Sequence, residues 1–362
     1  MRAFAIRKGL LALGAAAAAL PAGALPTLEA GWGHNVAVTA SAQAWAWGDN
    51  DLGKLGNGST TSSSIPVRAG ELASVVAVAA GANVSVALLA DGSVWTWGHG
   101  PALGVSSAPA TCASPSFVSP DPWYEPCAKT PVRVPGIAGA RGVAAGGGHV
   151  LVLMGDGTVR AWGDNAMGQL GNGTTAGAAT PVVVAGLSAV AEVAAGVDFS
   201  LARRTDGTVW AWGNHAHGEL GIGEAAPATC LGRDPYGSLD DVPLPCARTP
   251  VQAAALSLVT AIAARGRHAL ALRQDGSVRA WGANRYGQLG DGAQSDRRTP
   301  AAVPGLAGVT RIAAGFGHSL AMQGDGAVWT WGLDNAGQLG RTSTQACAKP
   351  GGGSATPCAR SP

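Results

Sequence analysis

A tryptophan–glycine step recurs six times along this chain, at Trp47-Gly48, Trp97-Gly98, Trp162-Gly163, Trp212-Gly213, Trp281-Gly282 and Trp331-Gly332. Each step is followed by a Gly-x-Leu-Gly turn, from Gly53-Lys54-Leu55-Gly56 to Gly337-Gln338-Leu339-Gly340, with Pro101-Ala102-Leu103-Gly104 as the one worn copy. A unit of this size repeated through a whole chain restricts the fold to a propeller, a solenoid or an array, because one unit alone cannot bury its apolar face.

The interior of the unit decides among these. In the fourth copy, Phe199-Ser200-Leu201-Ala202 alternates, Asp206-Gly207 follows, and Thr208 to Trp212 alternates again. Asp-Gly between two alternating runs marks a hairpin, since the turn needs positive φ. The same turn stands at Asp91-Gly92, Asp156-Gly157, Asp275-Gly276 and Asp325-Gly326; the first unit has Thr39 to Ala42 in its place. Side chains two apart on a strand share a face. Trp210 and Trp212 therefore point the same way, as do Trp45/Trp47, Trp95/Trp97 and Trp329/Trp331, while Arg160 and Arg279 replace the first tryptophan of two copies. Large aromatics so placed are expected to pack between neighbouring sheets, with Trp47, Trp97, Trp162, Trp212, Trp281 and Trp331 as the repeated structural positions. After each Gly-x-Leu-Gly comes a polar loop, then Thr-Pro and a Val-rich run such as Thr180-Pro181-Val182-Val183-Val184. Four short strands per unit make the blade of a β-propeller, and helical periodicity is absent outside the first residues. The expected class is all-β.

The tryptophan–glycine steps are spaced 50, 65, 50, 69 and 50 residues apart. Short and long alternate, so the period is a pair of units, and there are three pairs. The extra residues, near 105–130, 224–249 and 341–362, carry Cys112 and Cys127, Cys230 and Cys246, Cys347 and Cys358. Six cysteines allow 15 pairings, and the repeat favours the one in which each pair closes its own loop. Closing a loop of about 15 residues stabilises by about 3 kcal/mol in the chain-entropy account. Six units in three pairs favour six blades with approximate threefold symmetry and three bridged loops on one rim. Leu25 to Ala30 can supply the strand before Gly31 as a clasp between the termini. A further unit after Pro362 would make the count seven.

The run Gly315 to Ala321, then Asp325-Gly326-Ala327-Val328-Trp329-Thr330-Trp331-Gly332, then Asn335 to Gly340, resembles the repeat of the regulator-of-chromosome-condensation (RCC1-like) family. The resemblance covers nearly all of residues 25–362 and implies a propeller, seven-bladed in the familiar case. It says little about function, since one fold hosts many roles. The expected subtype is the exported bacterial one.

Export is read from the first residues. Met1 to Lys8 is basic, Gly9 to Leu20 apolar, and Ala22-Gly23-Ala24 a small-x-small site, the three-part pattern of a secretory signal with cleavage after Ala24. That gives a signal peptide at 1–24 and one propeller domain at 25–362, with no membrane span once the signal is removed. Without Arg2, Arg7 and Lys8 the chain holds 21 basic and 22 acidic side chains, so it lacks the electrostatic footprint for nucleic acid. An exported chain is also where disulfides persist.

Chemistry-bearing motifs are sparse. His34, His149, His268 and His318 share one repeat position, which reads as a structural hydrogen-bonding device. His99, His215 and His217 fall in loops after Trp-Gly; His215 and His217 make at most two ligands of a metal site. Asp49-Asn50-Asp51, Asp164-Asn165 and Asp334-Asn335 suggest a calcium loop only faintly, since Asp and Asn are ordinary turn residues. No nucleophile elbow, zinc-protease or phosphate-loop motif is present. No cofactor or metal is expected, nor catalysis. The unrepeated residues of the bridged loops, Phe117, Trp123, Tyr124, Glu125, Arg233 and Tyr236, are the candidate contacts for a partner, because Trp, Tyr and Arg dominate binding hot spots. The expected function is an exported, monomeric binding or scaffold propeller for a protein or glycan. The alternatives are guanine-nucleotide exchange with chromatin binding, as in the family's namesake, and an exported propeller hydrolase or lyase.

Overall fold

The computed structural model describes residues 28–114, 123–233, 241–343, 345–347 and 355–362. Six antiparallel sheets follow one another along the chain as blades 1 to 6, spanning 28–68, 75–133, 140–183, 190–252, 259–302 and 309–359. Blade 3 is representative: Ala140–Ala145 lies innermost, then His149–Met154, Val159–Gly163 and, outermost, Ala178–Val183. The chain is thus a six-bladed β-propeller. The one helical element among the described residues is a 3-10 turn, Gly100–Leu103, at the worn turn of blade 2.

The hairpin between the second and third strands is set by the Asp-Gly pair. Gly92 sits at φ 76°, while Asp91 Oδ1 accepts both the backbone N–H and the hydroxyl of Ser93, at 2.9 and 2.6 Å. The same bonds recur at Asp156, Asp206 and Asp275, and hold these exposed carboxyls below the usual range.

Beyond the hairpin, strand alternation turns the valine face toward the next blade and the tryptophan face toward the previous one. Five apolar clusters result, one in each joint from blades 1/2 to blades 5/6. In each, the second tryptophan of the pair is fully buried: Trp97, Trp162, Trp212, Trp281 and Trp331 are all 0% exposed. Its indole N–H donates to the carbonyl inside the preceding blade's Gly-x-Leu-Gly turn, that of Lys54, Ala102, Gln169, Glu219 or Gln288, at 2.7–2.9 Å. The worn turn therefore keeps its task through Ala102.

The longer period has a structural cause. Each insertion is a hairpin rather than an irregular loop: Ala110–Ser114, Ala228–Arg233 and Gln345–Cys347 pair as fifth strands onto lengthened or displaced outer strands. The bridges join Cys112–Cys127, Cys230–Cys246 and Cys347–Cys358, each with Cα atoms 5.8 Å apart. The hairpin of blade 2 rests on Leu52 of blade 1, and that of blade 4 on Met167 of blade 3. Leu28–Ala30 does supply the innermost strand of blade 1, paired with Asn35–Ala37. No strand pairing ties it to blade 6 among the described residues.

Candidate functional site: the rim of bridged hairpins

One end of the propeller gathers the three bridged hairpins and an aromatic pair found in no other blades. His34 faces Gly48 across the second and third strands, so the turn before the second strand and the loop after the third leave at the same end. The bridged hairpins start from that loop: His99 pairs with Cys127, Asn214 with Cys246 and Leu333 with Cys358. Three bridged hairpins therefore rise from one rim, on alternate blades.

At the centre of this end, Trp32 and Phe316 stack edge to face, with centroids 5.4 Å apart and planes at 82°. They are 55% and 54% exposed. Trp32 also borders a small hollow over the axis, lined by Gly146, Gly147, Val197, Arg265 and Gly266. Arg265 spans from blade 5 to blade 2, donating to the Ala80 carbonyl at 2.6 Å. Burial pushes the Glu29 carboxyl up to about 7, opposed by the nearby Arg265 charge.

Of the candidate contacts, Tyr124 is 70% exposed on the first hairpin. Its neighbour Glu125 is half-buried, with Oε2 3.5 Å from His99 Nε2. Trp123 and Arg233 occupy strand positions, with side chains outside the described residues; Phe117 and Tyr236 lie wholly outside them. Sequence reasoning missed Trp32, Phe316 and Leu231, the last 62% exposed on the second hairpin. The signal for the first two was present: the same repeat position holds Ala82, Gly147, Val197 and Gly266 in the other blades.

The repeated histidines are fasteners. Ser85 donates its hydroxyl to the Lys54 carbonyl at 2.8 Å, so His34 Nε2 must be the donor in its 2.8 Å bond to Ser85 Oγ. His149–Ser200–Gln169 and His268–Ser319–Gln288 repeat this relay. All three histidines are buried, and their Nδ1 atoms have no partner among the described residues. A charge there would be neither solvated nor paired, so burial lowers each imidazole to about 3. These His–Ser pairs resemble nucleophile and base, yet they lie inside blade joints where no substrate reaches.

The Asp-Asn loops likewise act as staples. The Oδ1 atoms of Asn50, Asn165 and Asn284 accept the N–H of Leu55, Leu170 and Leu289 at 2.9–3.0 Å. His215 takes this role in blade 4 and Asp334 in blade 6. His217 instead bonds Asp296 of the next blade at 2.7 Å, so His215 and His217 form no pair. Among the described residues no three His, Cys, Asp or Glu side chains are grouped to hold a metal, and no helix is long and apolar enough to cross a membrane.

Comparison with known proteins bears on this arrangement. Residues 121–358 match the RCC1-like domain and residues 41–88 the regulator of chromosome condensation (RCC1) repeat. The human E3 ubiquitin-protein ligase HERC2 is 34% identical over 39% of this chain, a stretch that is 3% of the ligase. The Arabidopsis thaliana ultraviolet-B receptor UVR8 is 30% identical, and the Bos taurus secretion-regulating guanine nucleotide exchange factor 31%, each over 41% of this chain and 31% of the relative. Among solved structures, Prp20p from Saccharomyces cerevisiae superposes with a TM-score of 0.70 at 23% identity, covering 92% of this chain and 75% of that one. Human WBSCR16 gives 0.69 at 22%, covering 87% and 78%.

Proposed function

The chain belongs to the RCC1-like domain family, and from that premise we propose that it is an exported, non-enzymatic binding propeller of the bacterial type. It holds a protein or glycan partner on the rim of bridged hairpins. The observation that carries this reading is the exposed Trp32–Phe316 pair at the centre of the end from which all three bridged hairpins rise, with Tyr124 exposed on the first of those hairpins. Aromatics with an apolar body and little rotamer freedom make anchors, and the bridges hold the surrounding strands in place. The three disulfides and the signal-like residues 1–24 support export to an oxidising compartment. We count the remaining candidate contacts, Phe117, Trp123, Glu125, Arg233 and Tyr236, toward this partner on their residue types alone, and a monomer suffices for it.

A second reading draws on the relatives: one is named a guanine nucleotide exchange factor, and the Prp20p structure was described with its binding to Gsp1p and histones. The near-neutral balance of charge in residues 25–362 counts against histone or DNA-like partners of strong charge.

Capture of extracellular or envelope proteins and glycans by the purified chain tests the first reading. Trp32→Ala combined with Tyr124→Ala should lower retention of the captured partner by about tenfold or more while leaving the melting temperature unchanged. Unchanged retention, or accelerated nucleotide release from a purified small GTPase, would overturn it.

A further inference from the structure

Over blade 5 the rim carries aromatic rings and arginines in one continuous track. It begins near the axis with the Trp32–Phe316 pair, centroids 5.4 Å apart. Gly266 of blade 5 lies directly against the Phe316 carbonyl, and Arg267 is the next residue in the chain. Gly317, the residue after Phe316, seats the Tyr286 ring: a Cβ there would stand 3.1 Å from Tyr286 Cδ2. Arg285 lies over that ring, its guanidinium carbon 5.6 Å from the centroid. Gly287, the residue after Tyr286, meets Arg360 of blade 6, whose Cα would be 2.7 Å from an added Cβ. The track therefore leads from Trp32 to Arg360 past Arg267 and Arg285. Blade 5 has four strands and no bridged hairpin, so this sector is flanked by the hairpins of blades 4 and 6.

The cations of this track lack counter-ions. Arg267, Arg285 and Arg360 are half-buried and enter no ion pair among the described residues, and Arg285 Nε is buried without a partner there. Their neighbours Arg297 and Arg298 are paired, with Asp291 and Glu224 at 2.8 and 3.1 Å. The carboxyls within reach of the Arg267 charge, those of Asp198 and Glu219, are pushed up by burial, Glu219 to about 7, so they offset it only weakly. Across the rim the sign changes: Asp164 of blade 3 is exposed, and Glu125 is half-buried on the hairpin of blade 2. Charge complementarity therefore asks for an anion over blade 5. We propose that the track binds a linear polysaccharide whose sugars carry carboxylates, their C–H faces against Trp32, Phe316 and Tyr286 and their carboxylates on Arg267, Arg285 and Arg360. This rests on the reading of the rim as a binding face and names its partner. All three cations are arginines, whose planar fork meets a carboxylate through two parallel bonds. An acidic peptide fits less well. A peptide that docks as an added strand gains its affinity from main-chain hydrogen bonds. Along the track those groups are taken: the N–H groups of Ala283, Gly315 and Leu333 donate to the Arg267, His318 and Gly317 carbonyls at 2.8 Å.

The probe is oligogalacturonate titrated into the full chain by calorimetry, with its methyl ester, a heparin oligosaccharide and poly-glutamate as comparisons. Saturable binding of oligogalacturonate is expected, weakened by added salt and lost when the carboxylates are esterified. Arg285→Gln and Arg267→Gln should each weaken it by about tenfold, the effect of losing one charge-assisted hydrogen bond, with the melting temperature unchanged. Arg273→Gln, beside the Asp275-Gly276 turn at the opposite end of blade 5, should leave binding as it is. Equal binding of the methyl ester, an equal loss on Arg273→Gln, or tighter binding of heparin or poly-glutamate would each overturn the proposal. Should oligogalacturonate fail to bind while the chain still retains another partner through Trp32, this inference falls and the rim reading stands. Should no capture depend on Trp32, both fall.

Discussion

The joint between blades 3 and 4 and the joint between blades 4 and 5 bury the same tryptophan in the same socket, yet they are sealed by opposite chemistry. In the first, Trp212 donates to the Gln169 carbonyl beside the His149–Ser200 relay. In the second, Trp281 donates to the Glu219 carbonyl, and the Glu219 side chain is itself fully buried. One Glu219 oxygen accepts the His217 N–H at 2.8 Å; the other has no partner among the described residues. A joint that must keep a base neutral and a joint that must keep an acid neutral respond to pH in opposite directions, although their apolar packing is alike.

The largest effect removes what the two share. Trp212→Ala and Trp281→Ala should each cost about 3–5 kcal/mol, the range for truncating a buried large aromatic. Trp47→Ala, where the indole is only half-buried, should cost much less. Denaturant unfolding of the three variants checks the ranking, and equal losses at Trp47 and Trp212 would show that Trp47 is as deeply packed as Trp212 in solution.

This ranking depends on features the sequence exposes to different degrees. The hairpins, the shared face of Trp210 and Trp212, and the bridge within each long unit were legible, because each is encoded by spacing within one unit. The seating of the bridged hairpins was not. Ala110–Ser114 carries no alternation, and its strand character comes from pairing with Trp123–Cys127 and from Leu52, a residue of the preceding blade. Trp32 and Phe316 come from units at opposite ends of the chain, so only the closing of the fold brings them together. Gln169 and Glu219 hold equivalent places in the repeat and both are buried, but only the carboxyl titrates, and how far burial shifts it is not written in the sequence.

Glu219→Gln should break the contrast on the acid side. Burial pushes the Glu219 carboxyl up to about 7 from its ordinary 4.5, so the folded chain binds the extra proton between those values. Stability from this group is full below pH 4.5, declines as pH rises through 7, and is then gone, a loss of about 3 kcal/mol. Glutamine fits the seat, since Gln169 and Gln288 accept the matching backbone N–H at 2.9 and 2.8 Å. The variant should match the parent at pH 4 and exceed it by about 3 kcal/mol at pH 8. A variant no more stable at pH 8 would mean that Glu219 stays ionised and solvated in the fold.

His149→Phe gives the smaller, opposite test. Burial lowers the His149 imidazole to about 3, against an ordinary 6.5, so here the unfolded chain binds the extra proton. Stability is full above pH 6.5 and falls as pH drops toward 3, by about 2 kcal/mol at pH 5. Phenylalanine is a fair replacement because Phe199 holds this position in blade 4, buried at 1%. At pH 7 the variant should lose about 1 kcal/mol, since Ser200 keeps its bond to the Gln169 carbonyl and only its acceptance from the imidazole is lost. At pH 5 the titration penalty is absent from the variant, so the order should reverse, with the variant ahead by about 1 kcal/mol. Unfolding curves at both pH values decide it. A variant that trails by the same margin at pH 5 would mean that the imidazole finds an acceptor for its second proton inside the joint, and the two joints would then differ in packing alone.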